Sequence, residues 1–189
     1  MYPPDDSIII FDTGADQCSI GGPAWTILHD TGDKVKCNGY LKGEYAQNGP
    51  VLPIVSGVTC VKQNDGDDFL IIVHQALYYN DKSQNESLIL PFQAEQHGVK
   101  FSLTPTNRLD TNDTPGRQNM IIEHKEIPLN FDGRKLYLNI RKPTDSDYDT
   151  LQTYEITSPE NFVPDPTTNK TSYRRLPITE QNNQYPGGL

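Results

Sequence analysis

Asp12 is the residue of this sequence best placed to do chemistry, because it directly follows an apolar run. Residues 8–11 are Ile-Ile-Ile-Phe, and the three β-branched side chains predict a buried strand. A carboxylate at the end of such a strand is costly to ionise unless hydrogen-bond donors point at it. Gly14 has no Cβ, so backbone amides can come close, and Thr13 adds a hydroxyl. The segment predicts a carboxylate held in a tuned environment, as acid–base catalysis requires.

Residues 11–15, Phe-Asp-Thr-Gly-Ala, resemble the hydrophobic-Asp-Thr/Ser-Gly-Ala signature of the retropepsin-like aspartic proteases. The same residues are also typical of an ordinary Asx-type turn, in which Asp12 accepts hydrogen bonds from local amides. The motif is short, and by itself it leaves both interpretations open. The remaining elements of the chain have to decide between them.

Length and composition indicate one domain of ordinary size with a tail. The 189 residues are 34% hydrophobic and include 15 Pro and 14 Gly, which favours strands, turns and loops over helices. The net charge of −9 argues against a nucleic-acid interface and against docking on anionic membranes. No apolar run has the length of a transmembrane helix, and the first residues lack the pattern of a secretory signal. Peptide or protein partners fit this balance better.

The cysteines and histidines show no spacing typical of a metal site, so we expect neither a metal nor a cofactor. An odd number of widely spaced cysteines predicts free thiols in a reducing compartment such as the cytoplasm. These cysteines are Cys18, Cys37 and Cys60.

The order of the predicted elements extends the resemblance. Retropepsins follow the Asp-Thr-Gly strand with a Gly-bearing flap hairpin, a long apolar strand, a hydrophobic pair, a short helix that ends at Gly, and a strand. The chain offers matching segments in that order: an extended segment or hairpin at 51–61 as the flap, a strand at 69–77, the pair Leu88 and Ile89, a helix at 92–97, Gly98, and a strand at 99–101. Residues 74–99 are similar to the corresponding stretch of copia-type retrotransposon proteases.

The predicted fold is mainly β, a closed acid-protease barrel with one short helix and extra C-terminal strands. We expect a retropepsin-like domain at 7–103 and a β-rich extension at 104–158. Within that extension, strands are predicted near 120–123, 127–131, 135–140 and 154–156, and a short helix is capped at Thr144. Residues 159–189 are rich in Asn, Thr, Pro, Gln and Gly, which predicts a mostly disordered linker or tail.

The resemblance implies an aspartic endopeptidase that processes its own retrotransposon-type polyprotein in the cytoplasm, including within virus-like particles. One Asp-Thr-Gly copy supplies one carboxylate, so the pair that this chemistry needs implies a homodimer. By the same resemblance Asp12 is catalytic and Thr13, Gly14 and Ala15 support it. The implied substrate-binding residues are Asp16, Ile54, Val55, Ser56, Gly57, Leu88 and Ile89.

Two departures from the retropepsin pattern keep alternatives open. Leu90 stands where retroviral members usually have Gly, and Pro91 stands where an Arg often pairs with the acid equivalent to Asp16. These changes suggest a second interpretation, a catalytically inactive retropepsin-like module for dimerisation or peptide binding. A third is a phosphate-handling enzyme of the sugar-kinase or actin-like kind, which also has strands ending in Asp-x-Gly. Such enzymes need a longer chain and a Gly-rich phosphate loop that this sequence lacks.

Overall fold

The described part of the chain is built mainly from β-strands. The computed structural model describes residues 7–37, 49–64, 66–103 and 118–162, together with the backbone of 173–175. Its strands are β1 (Ser7–Phe11), β2 (Ser19–Gly21), β3 (Thr26–Cys37), β4 (Val51–Lys62), β5 (Phe69–Tyr79), β6 (Glu86–Ile89), β7 (Lys100–Ser102), β8 (Asn119–Ile122), β9 (Lys125–Pro128), β10 (Asn130–Phe131), β11 (Leu136–Arg141), β12 (Thr153–Glu155) and β13 (Tyr173–Arg175). Two short helices are described, α1 (Pro91–Glu95) and α2 (Asp145–Thr150).

Six of these strands close into a barrel in the order β1-β6-β2-β5-β4-β11. The ring closes because β11 pairs antiparallel with β1 on one side and with β4 on the other. Leu138 lies opposite Ile9, and Ile140 lies opposite both Ser7 and Val61. The apolar residues among them belong to one continuous buried cluster. The prediction of a mainly β fold is confirmed, and the fold contains a closed barrel.

The closing strand comes from the segment that was predicted to be an extension. Residues 136–141 lie inside the predicted range 104–158, yet they pair with the first strand of the chain. A separate three-stranded sheet, β7-β8-β9, also spans the predicted boundary at residue 103. The ring of Phe101 on β7 packs on Phe11, with 5.4 Å between centroids. The predicted division therefore cuts through the barrel and through the smaller sheet.

An ion-pair network fixes the C-terminal end of β11. The guanidinium of Arg141 donates to both carboxylate oxygens of Asp147, at 2.5 and 3.0 Å, and to Asp68 at 3.2 Å. This bidentate contact holds the pKa of Asp147 well below its ordinary range. Asp147 also forms a capping box with Thr144, which begins α2 where the sequence predicted a helix.

The residues predicted to form a flap hairpin, 51–61, do not form a hairpin. These residues form a single strand, β4, paired with β3 on one side and with β5 on the other. Gly57 is not a turn residue: a Cβ there would lie 2.5 Å from Cδ1 of Ile20, so the glycine serves close packing. The extended alternative for this segment is the one that the structure bears out. The connection between β3 and β4, residues 38–48, lies outside the described residues.

The short helix after β6 begins one residue earlier than predicted, at Pro91, and ends at Glu95. Proline suits the first helical position because its missing amide hydrogen would have no helical partner there. Gly98 follows with a φ of +91°, which favours glycine. Within the described residues, no helix is both long enough and apolar enough to cross a membrane.

Part of the predicted tail is packed against the body of the protein. β12 pairs parallel with β5, and the chain beyond it reaches Phe162, which is buried. The backbone of β13 pairs antiparallel with residues 35–37 of β3. Residues 159–162 and 173–175 of the predicted, mostly disordered tail therefore have a defined place in the structure. The other residues of that tail, like residues 1–6, lie outside the described residues.

Replacing Leu138 by alanine tests whether residues 104–158 complete the barrel. Leu138 is 1% exposed, so we expect Leu138→Ala to lower the free energy of unfolding by about 3 kcal/mol. Denaturant unfolding followed by the fluorescence of Trp25, the only tryptophan, reports directly on the part before residue 103. Asn139→Ala, on the neighbouring half-buried position, should change the free energy of unfolding by less than about 1 kcal/mol. An unchanged Trp25 transition in Leu138→Ala would contradict the single closed barrel.

Candidate active site

Asp12 lies in a tight turn at the end of β1. Its Oδ1 accepts a hydrogen bond from the backbone N–H of Gly14 at 2.8 Å, and its carbonyl accepts from the N–H of Ala15 at 3.4 Å. A Cβ at position 14 would lie 3.2 Å from the same Oδ1, so a larger residue there would require a small shift of this carboxylate. We refer to residues 12–16 as the Asp12 turn. The turn orients the carboxylate by a local amide, as an Asx turn does.

Strand β6 pairs with β1 and fixes the backbone at the start of the Asp12 turn. β1 and β6 run parallel, with Ile10 opposite Leu88 and Phe11 opposite Ile89. The backbone N–H of Asp12 donates to the carbonyl of Ile89 at 3.1 Å, which continues the ladder by one residue. The structure therefore brings the predicted pair Leu88 and Ile89 next to the Asp12 turn. Ile89 itself is fully buried, and Leu88 is half-buried.

The Asp12 turn is open to solvent. Thr13, Gly14 and Asp16 are exposed, and Asp12 and Ala15 are half-buried. The strands of residues 118–162 do not cover this turn, since its residues keep that exposure in the complete described chain. A peptide, or the same turn of a second molecule, can therefore approach the carboxylate.

The four residues predicted to bind substrate from the flap do not join this site. Ile54, Val55, Ser56 and Gly57 are buried in the middle of β4. In the barrel, β11 separates β4 from β1 on one side, and three strands separate them on the other. The resemblance implied a Gly-bearing flap at 51–61, whereas Gly57 lies within β4, where its missing Cβ leaves room for Ile20.

The two departures from the retropepsin pattern have structural roles. The backbone N–H of Leu90 donates to the Sγ of Cys18 at 3.3 Å, and the Leu90 side chain is buried. Pro91 is buried at the first position of α1. Desolvation raises the pKa of the Cys18 thiol to about 12, so it remains a neutral thiol beside Leu90. Leu90 and Cys18 belong to the main buried cluster, against which Ala15 of the Asp12 turn packs.

Sequence reasoning missed a cluster of buried glutamines behind the Asp12 turn. Gln17, Gln75 and Gln93 are each at most 4% exposed. The side-chain amides of Gln17 and Gln93 both donate to the carbonyl of Gln75, at 2.5 and 3.3 Å. Gln75 has a φ of +53° and lies where the register between β5 and β4 is interrupted. The available signal was three glutamines next to apolar segments, since uncharged amides there need internal partners.

A second polar cluster surrounds His74, the residue that precedes Gln75. Its Nδ1 lies 2.8 Å from the Oγ of Ser56, and its Nε2 lies 3.5 Å from a carboxylate oxygen of Glu155 on β12. The hydroxyl of Thr157 joins both the N–H and the carbonyl of His74. Burial lowers the pKa of His74 below its ordinary value, His97 acts in the same direction, and Glu155 opposes them. The cluster ties β4, β5 and the segment after β12 together.

The lowered pKa of His74 makes stability depend on pH. The folded state favours the neutral ring, so the contribution of His74 is complete above about pH 6.5 and is lost as the pH falls through the folded pKa. We expect the free energy of unfolding of His74→Gln to fall less between about pH 7 and pH 5 than that of the unmodified chain. His124→Gln, in the exposed turn between β8 and β9, is the control. Equal pH slopes for the unmodified chain and His74→Gln would contradict this account.

Comparison of the chain with protein-family models, with curated proteins and with solved structures gives no match. Across the described ranges, no three His, Cys, Asp or Glu side chains are grouped as a metal site would require. The Asp12 turn, in which a half-buried carboxylate follows a buried strand, is the candidate active site.

Proposed function

We propose that this chain is a retropepsin-like aspartic endopeptidase that acts as a homodimer. The observation that carries the proposal is the place of Asp12: it follows a buried barrel strand, its Oδ1 is oriented by the N–H of Gly14, and its turn is open to solvent. The strand fixes the backbone, and the exposure leaves room for a second carboxylate and a substrate. Rigid support of this kind is what a catalytic group needs.

The proposed chemistry requires two carboxylates close together. Two like charges at such a distance cannot both ionise easily, so one carboxyl keeps its proton while the other is a base. The sequence holds one Asp-Thr-Gly, and the second carboxylate is therefore the Asp12 of another copy, related by a two-fold axis. The exposed Thr13 and Gly14 would face this axis together with Asp12.

The dimer hydrolyses a peptide bond without a covalent intermediate. The ionised Asp12 takes a proton from a bound water, and the oxygen of that water attacks the scissile carbonyl carbon. The protonated Asp12 donates a hydrogen bond to the developing oxyanion. A proton then passes to the leaving amine, the carbon–nitrogen bond breaks, and a new carboxyl and a new amine are released.

The proposed substrate is an extended segment of a polypeptide, in the first instance the polyprotein of a copia-type retrotransposon to which the chain would belong. Extended peptides are recognised mainly through backbone hydrogen bonds, and side-chain pockets add selectivity. The net charge of −9 fits a protein or peptide partner better than a nucleic acid. Three free cysteines fit a reducing compartment such as the cytoplasm.

A catalytically inactive module for dimerisation or peptide binding is the second candidate function. It is favoured by the hydrogen bond between Asp12 and Gly14, which an ordinary Asx turn forms as well. It is also favoured by Pro91, which replaces the arginine expected to pair with Asp16. In this alternative, the same barrel binds peptides or a second copy without cleaving anything.

Replacing Asp12 by asparagine separates the two candidates. Asparagine keeps the size and the hydrogen bond from Gly14 but cannot act as a base, so we expect Asp12→Asn to lower kcat for peptide cleavage by at least about 100-fold at mildly acid pH. Asp149→Asn, which removes an exposed acid on α2, should leave kcat within about 2-fold of the unmodified chain. Equal cleavage by the unmodified chain and Asp12→Asn, or no cleavage by either, would favour the inactive module.

Mixing experiments test whether two Asp12 residues form one site. When the unmodified chain and Asp12→Asn exchange subunits, only dimers with two aspartates should be active, so activity should follow the square of the unmodified fraction. Sedimentation of both proteins checks that they dimerise alike. A linear dependence on the unmodified fraction, or a strict monomer in sedimentation, would refute the shared site.

A further inference from the structure

We infer that Gln93 is a positioning residue for the Asp12 turn. This inference rests on the proposed function, because the turn that Gln93 would position is the proposed catalytic one. Gln93 lies on α1 and is 3% exposed, so its side chain is not presented to a molecule that approaches the exposed Asp12 turn. It therefore acts on the carboxylate through the backbone, and three contacts define the route.

Both ends of the chain segment that carries the Asp12 turn are anchored on residues 89–93. At the start, the N–H of Asp12 donates to the carbonyl of Ile89 at 3.1 Å. At the end, the N–H of Cys18 donates to Oε1 of Gln93 at 2.9 Å. Between these two contacts, the Sγ of Cys18 accepts from the N–H of Leu90. The exposed residues of the turn therefore lie between two hydrogen-bonded residues, Asp12 and Cys18, whose partners both belong to residues 89–93.

The amide of Gln93 joins this stretch to the barrel wall. While Oε1 holds Cys18, Nε2 donates to the carbonyl of Gln75 at 3.3 Å and lies 3.4 Å from the carbonyl of His74. Gln75 lies where the register of β5 with β4 is interrupted, and its carbonyl accepts from side-chain amides there. One planar group must thus accept on one side and donate on the other, which an amide side chain can do and a carboxylate or thioether cannot.

Removing that amide should loosen the exit of the Asp12 turn without removing any group that touches substrate. A buried N–H at Cys18 and a buried carbonyl at Gln75 would each lose a partner. Small displacements of catalytic groups cost rate more than they cost binding. Gln93→Met, which keeps the length of the side chain, should lower kcat by about 10- to 100-fold and change KM by less than about 3-fold.

The pH dependence of kcat in Gln93→Glu distinguishes a positioning role of Gln93 from a merely structural one. Burial raises the pKa of the introduced carboxyl above its ordinary value. Above that pKa the ionised carboxylate cannot donate to Gln75, and kcat should fall as in Gln93→Met. Below it the neutral carboxyl regains both functions: its hydroxyl donates to Gln75 and its carbonyl accepts from Cys18. The ratio of kcat between the unmodified chain and Gln93→Glu should shrink with acidification, while the ratio for Gln93→Met stays constant.

The control variant is Gln96→Met, an exposed position next to α1, which should leave kcat within about 2-fold. Thermal unfolding of all variants provides the folded fraction by which each kcat is normalised. Normalised kcat values of Gln93→Met and Gln93→Glu that match the unmodified chain at every pH would overturn the inference. Parallel losses in the two variants with no recovery in acid would overturn it as well, because they indicate general disruption.

Amide signals in NMR spectra keep the test independent of activity. In Gln93→Met we expect hydrogen exchange at the Cys18 amide to quicken by at least about 10-fold and the Gly14 amide resonance to move, since that N–H reports the Asp12 carboxylate. If the unmodified chain cleaves no peptide, the proposed function fails, and the Gly14 resonance still decides whether Gln93 positions the turn. An unmoved Gly14 resonance would then refute the positioning role.

Discussion

The pairing of β1 with β6 is the contact on which the candidate site depends. β6 lies parallel to the first strand, and the ladder extends past Phe11 to the N–H of Asp12, which is bound to the carbonyl of Ile89. The backbone of Asp12 is therefore held by β6, while Asp12 as a whole is half-buried. A freely moving turn would have to order itself whenever it bound a substrate or a second copy, at a cost in conformational entropy.

The barrel provides that fixed backbone through long-range contacts. β1 lies between β6 and β11, so its two neighbours come from the middle and from the late part of the chain. The cluster that contains Ile9 and Leu138 also contains Trp25 and Tyr154, so the core links the early and late parts directly. The Asp12 turn is thus supported by nearly the whole described chain rather than by a local motif.

Much of this arrangement could be predicted from local sequence. The apolar runs predicted β1 and β5, Pro91 and Gly98 predicted α1, and Thr144 predicted the start of α2. In each of these cases, periodicity or a cap carries the information within a few residues. The strand β3 was missed because its middle, His-Asp-Thr-Gly-Asp, is polar, and it is held by pairing with β4 across two irregularities of register.

The site was predictable only where its contacts are local. The bond between Asp12 and Gly14 spans two residues, whereas the bond between Cys18 and Gln93 joins residues 75 positions apart. No pattern within either segment specifies that second contact, and the same is true of the pair His74 and Ser56. The flap that includes Gly57 was wrongly predicted for a related reason, because the packing partner of Gly57, Ile20, belongs to another strand.

Closure of the barrel by β11 also determines when the protein can fold during its synthesis. Until residues 136–141 have left the ribosome, β1 lacks the partner that covers one of its edges, and residues 60–62 of β4 lack the partner on one side. Unpaired apolar edges are templates for association with other chains, and non-local pairing is slow. A nascent chain that stops short of β11 should accordingly depend on chaperones, and the Asp12 carboxylate would acquire its final orientation only after that strand has docked.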